Sequence, residues 1–326
     1  MDGNRREWRS KMKIALVDVD SKIPNLALMK ISTYHKALGD TVEFHDPLFG
    51  DKPDLIYASK VFDFTPDYNY YPPDVPIIKG GTGYNIHSVL SPEIESCYPD
   101  YDLYQCDYAI GFTTRGCIRK CPFCIVPKKE GYIKVVGDIY DFWNGHKHLM
   151  LLDNNLTALP EHFELICKQL IKEKIKVDFS QGLDIRLITP EMAQLLAKVK
   201  LWKQIHFAWD DIRIEKAVRR GIEILTSNGV KPYKLMFYVL IGFNSTPEED
   251  LYRVETLRGL GVDPFVMPYN KSDEYQRRFA RWVNHKAIFK TVKWEDYVAH
   301  YKDTTTTETQ SVIYAKEERI VERLDG

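Results

Sequence analysis

No stretch of the 326-residue chain is apolar for long enough, about 18 residues, to cross a bilayer as a helix. The opening MDGNRREWRSKMK is charged, and the IALVDVD that follows is too short and too acidic for a secretory signal, so a cytoplasmic protein with no membrane partner is expected. Charge of one sign is lacking as well. Forty-five Lys and Arg stand against 46 Asp and Glu, a formal net charge of -1, so no global field draws the protein to nucleic acid or an anionic surface. Cysteine is scarce: six in the whole chain are too few for a disulfide framework, and in a reducing compartment any tight group of them points to metal binding or catalysis. No repeat of fixed period and no long low-complexity tract is present. What remains is 44% hydrophobic and 28% charged, the usage of a globular protein, long enough for a large α/β domain with an appended module.

Hydrophobic patterning divides the chain. KIALVDVD (13–20) reads as a buried strand, and PNLALMKISTYHKALGD as an amphipathic helix from Pro24 to near Gly39. TVEFHD, DLIYASKVF and VPIIKGG add short strands, giving a small Rossmann-like sheet; DFTPDYNYYPPDVP is a loop. From about residue 107 the alternation is regular. Six strands, YAIGFTT, HLMLLD, KVDFS, QIHFAW, KLMFYVLIGF and DPFVMPY, are separated by helical patterns, beginning near GDIYDFW. Parallel strands need such crossovers, so the expected fold is α/β: a partial (β/α)6 TIM-type barrel preceded by a small Rossmann-like α/β lobe. The expected divisions are 1–105 for the lobe, 106–270 for the barrel and 271–326 for a C-terminal helical extension, where periodicity degrades.

Cys117, Cys121 and Cys124 fall in one loop after the first barrel strand. Random placement of six cysteines yields that spacing with a chance of only ~0.002. Three thiolates on a loop can cap three corners of a cubane iron–sulfur cluster and leave the fourth iron open. Zinc fits less well, because only Cys121 and Cys124 form a knuckle and His146 and His148 lie beyond an intervening helical pattern.

RGCIRKCPFC resembles the signature of the radical S-adenosylmethionine (radical SAM) superfamily, Cys-x3-Cys-x2-Cys with an aromatic residue, here Phe123, before the last cysteine. The resemblance covers roughly residues 107 to 270. It implies a 4Fe-4S cluster on the three cysteines whose open iron takes the amino and carboxylate groups of SAM. It further implies reductive cleavage of SAM to a 5′-deoxyadenosyl radical, hydrogen abstraction from a substrate, and an electron donor such as flavodoxin or ferredoxin.

The resemblance also nominates residues at the later strand ends. Asp153, Asn154 and Asn155 stand where relatives contact the SAM amino group, although the Gly-Gly-Glu-like stretch of those relatives is absent; the plainer reading is an Asp-Asn turn. Gln181, Asp184 and Arg186 in SQGLDIRL suit ribose hydroxyls and a carboxylate, or form an exposed ion pair. His206 lies on the next strand and is either lumenal or a core histidine. Ile241 and Gly242 match the family's fifth-strand segment against adenine.

Cys97, Cys106 and Cys167 do not make a second cluster, which sets the chain apart from radical methylthiotransferases with further cysteines in their N-terminal lobe. The lobe looks like a shortened cobalamin-binding domain. Its first loop, Asp18-Val-Asp20-Ser-Lys-Ile, lacks the histidine that ligates cobalt, so a cobalamin-dependent methyltransferase is kept as an alternative, as is a non-catalytic iron–sulfur or electron-transfer protein. Basic and aromatic residues interleave from Arg277 to Trp294, a pattern of nucleic-acid binders, but a helix packing its aromatic side inward is preferred. The substrate stays open among peptide, nucleotide and small metabolite.

Overall fold

The computed structural model describes residues 10–298. The part of the expected C-terminal extension after residue 298 lies outside the described residues. These residues form two compact units, one of 10–206 with 220–234, the other of 207–219 with 235–298.

In the first unit, β1 (Lys13–Asp18), β2 (Thr41–Phe44), β3 (Leu55–Ser59) and β4 (Ile77–Gly80) make an all-parallel sheet in the order β2-β1-β3-β4. β1 is apolar on both faces because both are covered. Ile14 and Leu16 pack on Leu28 and Ile31 of α1 (Leu26–Ala37), while Ala15 and Val17 pack with Ile56, Ala58 and Val75. The helix is capped by Asn25, whose side chain accepts from Leu28 N at 3.3 Å. Met29, on another face of α1, is fully buried against Ile110, Met150 and Leu152, so one helix joins the lobe to the following sheet. Burying that side chain contributes roughly 1.5–3 kcal/mol.

After the short α2 (Pro92–Glu95) come β5 (Ala109–Gly111), β6 (Thr114–Arg115), α3 (Val126–Lys129) and β7 (Lys134–Val135). Then follow β8 (His148–Leu151), α4 (Pro160–Lys172), β9 (Lys176–Phe179), α5 (Pro190–Lys198) and β10 (Lys200–Leu201). β5, β8, β9 and β10 form a second parallel sheet in the order β10-β9-β8-β5. Phe163, Ile166, Cys167 and Leu170 make the buried stripe of α4, which gives Cys167 the role of a small core hydrophobe. The helix expected near GDIYDFW is a single 3-10 turn, Ile139–Asp141. Its continuation is lost because Phe142 turns inward over Gly111, where even a Cβ would sit 2.4 Å from the ring.

The second sheet-bearing segment runs β11 (Ile205–Ala208), α6 (Glu215–Ser227), β12 (Leu235–Ile241), α7 (Pro247–Gly259) and β13 (Asp263–Pro268), with strand order β11-β12-β13. α7 starts with a reciprocal Thr246–Glu249 capping box. Arg253 of α7 is fully buried, donating to the carbonyls of Trp209 and Leu240 and to Asp250. Beyond residue 271, where periodicity reads as degraded, the chain forms α8 (Glu274–Asn284) and α9 (Lys286–Thr291). Phe279, Trp282 and Phe289 turn inward and Arg277, Arg281 and Lys290 outward, the arrangement preferred over a nucleic-acid surface. Among the described residues no helix is long and apolar enough to cross a membrane.

Candidate cluster loop

The cysteine loop is closed at its base before any cysteine is reached. β6 and β7 pair antiparallel, Thr114 opposite Val135 and Arg115 opposite Lys134. Gly116 then turns at φ +84°, and an added Cβ would meet Tyr132 O at 2.5 Å, so only glycine fits. Cys117 N donates to Gly131 O at 3.2 Å, and Cys124 N to Cys121 O at 3.0 Å.

Glu130 fastens this base. Its carboxylate accepts from Arg115 Nη1 (2.9 Å), Gly116 N (2.9 Å) and Asn154 Nδ2 (2.7 Å). Asn154 therefore braces the loop. Asp153 has a comparable use: it is buried and accepts from the backbone and hydroxyl groups of Thr113 and Thr114, fixing the corner at which the chain leaves β5. Burial pushes its carboxyl above the usual range, against those four donors. Asp153 and Asn154, singled out for a cofactor amine, thus hold the loop and the corner before it.

Behind Cys117 lies a second network. Asp184, five residues beyond β9, accepts from Arg119 Nε (2.9 Å) and from Arg186 Nε (2.6 Å) and Nη2 (2.9 Å). Burial raises the Asp184 carboxyl, but the two guanidiniums outweigh it and hold it below the ordinary carboxylate range. Asn155 Nδ2 stands 3.6 Å from Cys117 Sγ and 3.5 Å from Asp184 Oδ2. Arg119 N also points at Cys117 Sγ, at 3.3 Å.

The structure thus brings together Cys117, Asn155, Asp184 and Arg186 of the residues singled out from sequence, with Cys121 and Cys124 half-buried on the same loop and Phe123 exposed beside them. Gln181 is exposed. His206 is buried, its Nδ1 3.2 Å from Phe179 O and 3.6 Å from Asp178 Oδ1; burial pulls its pKa down, with Asp178 opposing. In the second unit, Ile241 is buried at the end of β12 and Gly242 lies under the Gln276 side chain, 2.2 Å from where a Cβ would stand. Cys97 and Cys106 donate to the carbonyls of Glu93 and Tyr108. Arg119, Glu130 and the Thr113–Thr114 pair are the contributors that sequence reasoning missed. Only Arg119 carried a signal, by its place between two cysteines.

Among the described residues no three His, Cys, Asp or Glu side chains converge as a single metal ion requires. A cubane presents a separate iron at each bonded corner, so its ligands need not meet at a point. Three thiols on one loop, with N–H groups turned toward Cys117 Sγ, are a donor set that fits it.

No family profile matches the chain. The fold is similar to that of the radical S-adenosylmethionine methyltransferase TsrM from Kitasatospora setae, solved with cobalamin and a [4Fe-4S] cluster bound. The TM-score is 0.58 at 13% identity, over 79% of this chain and 75% of that one. The chain shares the fold of that enzyme. Sequence similarity also reaches curated proteins. Ribosomal protein uS12 methylthiotransferases RimO from Psychrobacter sp. and Colwellia psychrerythraea are 24% and 23% identical over 133 residues, 39% of this chain. RimO from Ectopseudomonas mendocina is 20% identical over 263 residues, 67% of this chain. The chain spans only 24% and 26% of the length of the first two relatives.

Proposed function

We propose that the chain is a radical SAM enzyme whose Cys117, Cys121 and Cys124 hold a 4Fe-4S cluster. The observation that carries this reading is the loop itself: three half-buried thiols on a segment locked at its neck by β6, β7 and Glu130, within a radical SAM fold. When bound, the cluster and SAM supply reductive cleavage of a carbon–sulfur bond and the radical that takes hydrogen from a substrate. The chain's own residues hold and orient. Gly116 and Glu130 set the path of the loop, and Asp153 fixes its departure from β5. Arg186, 32% exposed on its side chain and steadied by Asp184, offers a guanidinium to a carboxylate. A flavodoxin or ferredoxin is the class of electron donor this chemistry needs, and the substrate is a peptide, nucleotide or small metabolite. Anaerobic reconstitution tests the reading. The expected outcome is about four irons per chain and 5′-deoxyadenosine formed from SAM under a strong reductant, both lost when Cys117, Cys121 and Cys124 become alanine. Iron without SAM cleavage would favour the electron-transfer alternative.

One observation favours a second, narrower reading, a cobalamin-dependent methyltransferase: the likeness to TsrM extends over 79% of the chain, which ahead of β5 carries a parallel Rossmann-like sheet. The lobe offers no spare histidine from α1 for cobalt, because His35 is buried with Nδ1 2.8 Å from Asp40 and Nε2 3.1 Å from Tyr57. Cobalamin would have to bind without His35.

A further inference from the structure

Asn155 has a fixed orientation, and that orientation aims a donor at sulfur. Asp184 N donates to Thr157 Oγ1 at 3.0 Å, which leaves the Thr157 hydroxyl proton for Asn155 Oδ1 at 3.1 Å. With its oxygen so engaged, the amide cannot be flipped without setting two donors face to face, so Nδ2 must point the other way. There it meets Cys117 Sγ at 3.6 Å and Asp184 Oδ2 at 3.5 Å. Asn155, Thr157 and Asp184 are only 3%, 1% and 7% exposed, so water does not compete for these bonds. Asp184 is held in turn by Arg119 from within the cysteine loop. The circuit runs from the loop after β8 to the loop after β9 and back to the first cysteine.

We propose that Asn155 is a positioning residue that sets the reduction potential of the cluster through its N–H toward the sulfur of Cys117, with Thr157 as the group that holds the amide in register. This rests on the cluster reading above. A hydrogen bond to a ligating sulfur stabilises the more negative, reduced cluster and raises its potential; removing it lowers the potential. Asn155→Leu removes the donor. Asn155→Asp keeps the shape but replaces the donor with an acceptor carrying negative charge, and shifts the potential furthest. Thr157→Val leaves Asn155 in place and frees the amide to turn, giving a smaller shift in the same direction.

The experiment is a mediated redox titration of the reconstituted full-length protein and the three variants, followed by electron paramagnetic resonance, with iron content measured on each sample. Midpoints displaced to more negative values in the order Thr157→Val, Asn155→Leu, Asn155→Asp, at unchanged iron content, support the proposal. A midpoint equal to wild type in any variant of Asn155 that loads its iron overturns it. If neither Asn155 variant loads iron, Thr157→Val alone decides: an unshifted midpoint overturns the proposal. Wild-type protein that takes up no iron overturns the cluster reading instead, and is told apart by the iron assay.

Discussion

Glu130 is the residue on which the neck of the cysteine loop depends, and its replacement separates loop order from cluster chemistry. Glu130→Ala leaves Gly116 N and the half-buried Asn154 amide without their acceptor, at about 1–3 kcal/mol for the buried Gly116 N–H. Its pairing with Arg115 adds little, since that side chain is 27% exposed. The expected outcome is a lower urea midpoint in the iron-free protein and slower iron uptake, with the final iron content retained at saturating iron and sulfide. At this scale the sequence was legible where chemistry is local. Three cysteines within eight residues announce themselves, and so does an aromatic before the last. Glu130, Thr113 and Thr114 were not legible, because their meaning lies in partners 14 to 40 positions away that only the fold brings near.

Among elements, β11 carries a titration that reports on packing. His206 is buried beside β9, and burial depresses its pKa while Asp178 works against it. A histidine held neutral in the folded state contributes stability above its ordinary value of about 6.5. That contribution disappears as pH falls, since the unfolded chain accepts a proton that the folded chain resists, with a slope of at most about 1.4 kcal/mol per pH unit. Urea unfolding at pH 7.5 and 5.5 checks this: wild type should lose more stability on acidification than His206→Gln. Elements with strong period, β1, α4 and β12, were readable because both faces of a buried strand or one face of a helix are written in apolar residues. The two-residue β6 and β7 were not, since so short a pairing has no period to read.

For the whole molecule, the parallel lobe and the likeness to TsrM raise the question of a corrinoid. The expected outcome for the narrower reading is that hydroxocobalamin added to the reconstituted protein co-elutes with it on gel filtration. Any histidine coordination seen in the corrinoid spectrum would have to come from a residue other than His35, whose two ring nitrogens are engaged by Asp40 and Tyr57. Failure to retain corrinoid would leave the radical SAM reading intact and remove the methyltransferase one. The lobe was legible as Rossmann-like from four short apolar runs and a capped helix; its ligand was not, because a parallel sheet of this kind serves many ligands.

The pairing of Thr114 with Val135 and of Arg115 with Lys134 makes the intervening segment a tethered ring rather than an open tail. The entropy of bringing its ends together is spent when the polypeptide folds. On the cluster reading, iron arriving later would therefore meet thiols already confined to a small volume, and its binding energy would go to bonding instead of gathering chain.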